Sequence, residues 1–235
     1  MYLKLNNQRL YLVQLIETVQ KDKSERTTFP YTSEVCRCRY CLYCHNGKCS
    51  LKRCLWMRER VKSKSCTFTE LLKDCFVNIK DNVFQYRLRL AYERASELRS
   101  CFVDTKHKSR FLEGKSLVKN KDYELIAQVF LLSATESLWI KAKQTICTTV
   151  FIDYGCFGTN ETNMNDYLLL CTAMDIHYGS SYIDLYKLTI DEIVDFDIFR
   201  IICYSVAICI YGMDAVKSAQ RKKPYNLRQR EGNKR

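Results

Sequence analysis

The chain is short of the residues that break helices and close tight turns, with 2 Pro and 7 Gly in 235 residues. That excludes collagen-like and Pro/Gly-rich low-complexity chains, and it argues against an all-β protein. Histidine is scarce as well, with three in all, so acid–base chemistry has few candidates. There is no phosphate-binding glycine loop, no G-x-S-x-G and no H-E-x-x-H. Long apolar runs are missing. The longest, Ile201 to Met213, falls short of the roughly 20 residues that a bilayer span needs, and a buried helix is expected there. Met1-Tyr2-Leu3-Lys4 runs into polar Asn6, Asn7, Gln8 and Arg9, so no secretory signal is expected. The expected location is cytoplasmic, without membrane contact, and a disulfide framework is the weaker reading of the cysteines.

What the chain does have is cysteine and positive charge. Fourteen Cys are present, and seven potential metal ligands fall within residues 36–54: Cys36, Cys38, Cys41, Cys44, His45, Cys49 and Cys54. Cys41, Cys44, Cys49 and Cys54 form C-x2-C-x4-C-x4-C, a spacing that lets four thiolates close on one tetrahedral ion. Asn46-Gly47 is the turn signal that brings Cys49 back. Zinc is the expected cofactor and a structural staple the expected role, because four thiolates leave no open position for catalysis. Cys36, Cys38 and His45 are alternates. Cys38, Cys41, Cys44 and Cys49 also resemble an iron–sulfur run, and redox use or plain reduced thiols remain further readings. Cys147, Cys171, Cys203 and Cys209 sit in apolar runs, where cysteine behaves as a small hydrophobe.

The formal net charge is +12, unevenly spread. Residues 1–101 carry 20 Lys/Arg against 10 Asp/Glu, residues 102–213 carry 10 against 14, and residues 214–235 carry 8 against 2. This suggests an N-terminal unit over 1–100, a second unit over 101–213 and a basic tail over 214–235. Around the cysteines, Arg37, Arg39, Arg53, Arg58 and Arg60 interleave with Tyr40, Tyr43 and Trp56. Cations beside aromatics suit phosphates and stacked bases; the competing reading is a solvated positive face that balances the thiolates.

Periodicity predicts a mainly α fold: helical domains with a small Cys-rich zinc module near the N-terminus. A helix is expected over 5–20. Thr67-Phe68-Thr69-Glu70 is a capping box. It should open one long helix with Leu71, Leu72, Cys75, Phe76, Ile79, Val83, Tyr86 and Leu90 down one side. Asp104 or Thr105 should cap a helix ending near Gly114, and Asp122 should open the next. Another starts at Thr135, and a loop with a short strand is expected in 147–162. A helix over 163–177 should close on Gly179. Thr189-Ile190-Asp191-Glu192 forms a second capping box, expected to open a helix through Phe196, Phe199, Ile202, Val206 and Ile210.

The stretch Phe102 to Phe111 has the form F-x-x-x-x-H-x-x-R-F. With Asp122-Tyr123-Glu124, Phe130 to Ala134 and Ile202 to Ala207, it resembles a group of uncharacterised bacterial proteins of phages and mobile elements (domain of unknown function 6075). The front is similar to small cysteine-rich modules of like provenance, with Cys41, Cys44, Gly47, Cys49 and Cys54 in the matching places. The resemblance implies a helical fold and a bacterial cell, and no reaction.

No catalytic residue is assigned. Asp104 with His107 and Asp175 with His177 are the nearest to acid–base pairs, but a cap and a packed histidine explain them better. The expected function is a non-enzymatic binding or regulatory protein, contacting nucleic acid through its basic front. The alternative is a protein–protein adaptor or inhibitor using the acidic half and its aromatics.

Overall fold

The computed structural model describes residues 11–17, 44–45, 48–49, 66–77, 79–118, 122–149, 151–158 and 163–220, with 44–45, 48–49 and 148–149 in backbone only. Among these residues the chain is mainly α-helical, as the periodicity predicts. The elements in chain order are α1 (residues 12–17), β1 (Cys44–His45), β2 (Lys48–Cys49), α2 (Phe68–Cys75), α3 (Asn82–Leu98), α4 (Thr105–Leu117), α5 (Tyr123–Leu132), α6 (Glu136–Thr149), α7 (Met164–Tyr178), α8 (Phe196–Tyr211) and α9 (Met213–Ala219). Single 3-10 turns lie at Tyr154–Cys156 and Lys187–Thr189.

Local chemistry sets most helix ends. The box at Thr67 forms in both directions: the Glu70 amide donates to Thr67 Oγ1 at 3.2 Å, and the Thr67 amide donates to Glu70 Oε2 at 2.8 Å. Asp81, Asp104, Asp122, Asn163 and Asp195 cap α3, α4, α5, α7 and α8 by accepting from first-turn amides. Gly179 takes the left-handed conformation (φ 67°) that ends α7, and its amide donates to Asp175 O.

Four expectations need correction. The long helix from Thr67 is two helices. The first ends at Cys75, the Ile79 amide donates to Phe76 O, and Asp81 starts α3 afresh. The break resets the phase: Ile79 stays buried, Val83 and Tyr86 become exposed, and α3 buries Phe84, Arg87, Leu88, Ala91 and Ala95 instead. Gly114 does not end α4 but lies inside it, because a Cβ there would come within 2.6 Å of the Trp139 ring and 2.7 Å of Val129. Glycine is needed for close approach of helices, not for a turn. The Thr189 box does not open α8: Thr189 closes the 3-10 turn, and Asp195 is the cap actually used. In place of a strand, residues 151–158 hold the 3-10 turn at Tyr154–Cys156.

Helices α5 and α8 are buried on nearly every side, as central helices must be to be so apolar. They pack on each other; α5 also meets α7 and α4, and α8 covers α2, α3 and α9. The ring of Phe68 meets Tyr204 edge-on at 5.0 Å and Phe84 meets Phe199 at 5.3 Å. One buried apolar cluster runs from Leu12 to Ala219, on both sides of the Cys101–Asp104 segment. Among the described residues no helix is long and apolar enough to cross a membrane.

Candidate functional site

The F-x-x-x-x-H-x-x-R-F stretch meets the C-terminal end of α5. That helix is buried from Leu125 to Leu132, so its last carbonyls need donors from protein rather than water. α4 supplies them. His107 Nε2 lies 2.9 Å from Phe130 O, while His107 Nδ1 accepts the Val103 amide at 3.2 Å. This pairing places the proton on Nε2. Arg110 donates from Nε to Ser133 O at 2.7 Å and from Nη2 to Ala134 O at 2.8 Å. The imidazole is fully buried against Phe102 and Phe130, at 5.1 and 4.8 Å. Burial is the main cause that pushes its pKa down to about 4; the bond to Phe130 O opposes this, and the guanidinium of Arg110 adds to it. Both ring nitrogens are engaged. Asp104 accepts the His107 backbone amide, not its ring, so the two do not form an acid–base pair.

Asp175 and His177 part company at the end of α7. Asp175 is fully buried and accepts from the Ser180 hydroxyl and from the Tyr182 and Ile183 amides, each at 2.8 Å. Burial raises the pKa of its carboxyl, against these three bonds. His177 is exposed, stacked edge-on with Tyr178 at 4.5 Å and near Tyr154 at 5.3 Å. The carboxylate holds a turn, and the imidazole belongs to an aromatic surface.

The expectation of a zinc site is corrected. Among the described residues no group of three or more His, Cys, Asp or Glu could hold a metal ion. Of the four expected ligands, Cys41 and Cys54 lie outside the described residues, as do Cys36 and Cys38. Cys44 and Cys49 do come opposite one another, with His45 opposite Lys48, in the antiparallel pair β1–β2. The turn signal between them was legible. Cys171, Cys203 and Cys209 are buried thiols in helices, as the apolar runs predict, whereas Cys147 is exposed.

Two buried arginines escape a reading by composition. Arg87 on α3 donates to Leu188 O at 2.7 Å and Val194 O at 2.6 Å, lies 4.6 Å from the Phe199 ring and pairs with Asp191 at 3.1 Å. Arg200, on the first turns of α8, pairs with Asp197 at 2.6 Å and lies against Tyr204. The available signal was positional: Arg87 falls in phase with Phe84, Leu88 and Ala91, and Arg200 directly precedes the apolar run Ile201 to Met213.

The surface is aromatic after α7. Tyr178, Tyr182 and Tyr186 are 60%, 52% and 63% exposed. Residues 175–197 carry six Asp/Glu against Lys187 alone. No family model, curated protein or solved structure matches the chain. The functional reading therefore rests on its own geometry and charge.

Proposed function

We propose that this protein acts by binding rather than by catalysis, and that its basic front, residues 1–101, contacts nucleic acid. The observation that carries the first half is the fate of the groups best suited to proton transfer. His107 spends both ring nitrogens on backbone groups, and Asp175 spends its carboxylate on three donors. Such groups stiffen a scaffold, and neither His107 nor Asp175 stands as one half of an acid–base pair. The second half is supported by the 20 Lys/Arg against 10 Asp/Glu of the front and by the aromatics between them.

The test is an electrophoretic shift of the full chain with a 30-base-pair duplex of mixed sequence and with one of its strands, at 50 and 200 mM salt. Binding at low salt that weakens by about 10³-fold or more at high salt is expected if six or more phosphates are neutralised. No shift at low salt, or a shift that salt leaves unchanged, overturns the reading.

A further inference from the structure

In a chain of net charge +12, residues 178–195 run against the whole: they carry Asp184, Asp191, Glu192 and Asp195 against Lys187 alone, together with exposed tyrosines. Three tyrosines stand at four-residue intervals along 178–186, each more than half exposed. Tyr167 on α7 is a further 43% exposed ring. Behind them the backbone is held from several sides. Asp175 ties Ser180, Tyr182 and Ile183, and Asp184 Oδ1 accepts the Tyr186 amide at 3.0 Å. The Leu12 amide donates to Ile183 O at 3.0 Å, and Tyr11 forms a bridge with Asp184. Further along, Asp191 is 81% exposed at its side chain, and Glu192 and Asp195 are exposed.

We propose that the segment 178–195 is a docking surface for a Lys/Arg-rich stretch of a partner polypeptide. Rigid, exposed tyrosines give large contact area at little loss of side-chain freedom, and an already ordered backbone lowers the cost of association. A guanidinium or ammonium is attracted to a tyrosine face, and the exposed carboxylates further along the same segment, Glu192, Asp195 and the Arg87-paired Asp191, supply the complementary sign. Nucleic acid and anionic membranes meet the wrong sign here, so docking on this segment does not depend on nucleic-acid binding, although Leu12 and Arg87 of residues 1–101 help to hold it in place.

The experiment titrates full chain into fluorescein-labelled nona-arginine, followed by anisotropy, with nona-glutamate as the opposite-charge control. Binding of nona-arginine alone is expected. It should weaken about tenfold in Tyr182→Ser/Tyr186→Ser, which leaves every charge in place, and by a similar factor in Glu192→Lys. Circular dichroism should show both variants folded, and the duplex shift should be unchanged in the tyrosine variant. No binding of nona-arginine, equal binding of nona-glutamate, or undiminished binding by the tyrosine variant overturns the proposal. Sedimentation without peptide separates a second copy from a partner: a monomer is expected. A dimer that Tyr182→Ser/Tyr186→Ser dissociates would assign the face to another copy of this chain and overturn it too.

Discussion

Helices α5 and α7 end with opposite chemistry, the first inside the protein and the second at the exposed Tyr178. At the end of α5 the bare groups are carbonyls, and donors come from another helix, the imidazole of His107 and the guanidinium of Arg110. At the end of α7 the bare groups are amides of the following loop, and the acceptor is a carboxylate of the helix itself, Asp175. The first device joins two helices across 23 or 24 residues of sequence; the second folds a loop onto its own helix across seven or eight. One fixes how α4 and α5 pack. The other fixes which way the tyrosines of 178–186 face. The fold thus uses buried polar groups for two jobs, and only the second reaches the surface.

The sharpest way to break this contrast is Asp175→Ala. It strips an acceptor from two buried-side amides and a hydroxyl, and at about 1–3 kcal/mol for each stranded group the expected loss is about 4 kcal/mol. Denaturant unfolding would measure it. A cost below about 1 kcal/mol would mean the loop finds other acceptors.

Acid comes next. His107 titrates near 4 in the fold and near 6.5 in the unfolded chain. Below 6.5 the unfolded chain takes up a proton that the fold refuses, so this group's stabilisation is complete above 6.5 and is lost as pH falls towards 4. At 1.36 kcal/mol per unit, the loss reaches about 3 kcal/mol. Asp175 acts in the other direction, since its raised pKa means that the fold accepts a proton more readily than the unfolded chain does. The stability difference between wild type and His107→Leu, read from unfolding at pH 7, 5.5 and 4.5, should therefore shrink as pH falls.

His107→Leu should cost about 2 kcal/mol at pH 7, since it leaves the Val103 amide without its acceptor while Ser133 still donates to Phe130 O. The same variant should flatten the acid slope; an unchanged slope would assign it to other groups. Smallest is Arg110→Lys, expected to cost about 1 kcal/mol, because an ammonium cannot reproduce the planar fork that reaches Ser133 and Ala134 together.

Features that depend on neighbours in sequence were legible. The Thr67 box, the caps Asp104 and Asp122, and the Gly179 terminus each follow from a few adjacent residues. The helix that became α8 was legible from its apolar run, although its start was not. Thr189 and Asp195 both offer a cap, and the choice falls to the one that leaves Leu188 and Val194 where Arg87 can reach their carbonyls. The division between α2 and α3 was hidden because Phe76, Ile79 and Val83 continue the helical register. The buried roles of Arg87 and Arg200 depend on partners far away in the chain or on packing, which periodicity does not contain. Of the candidate site, the histidines and the acid–aromatic half were found by composition; what each does was decided by its neighbours in space. The zinc expectation came from spacing, which a tetrahedral site requires but which is not sufficient for one.

Arg87 has a consequence for the order of assembly. Its two carbonyl acceptors lie 101 and 107 residues further along the chain. At translation rates of roughly 5–20 residues per second, α3 leaves the ribosome some 5–20 seconds before they do. During that interval the guanidinium must stay hydrated, and the face of α3 that carries Phe84 and Leu88 cannot be sealed around it. The arginine therefore delays closure of the N-terminal helices until the last third of the chain arrives, and it makes early and late segments enter the core together.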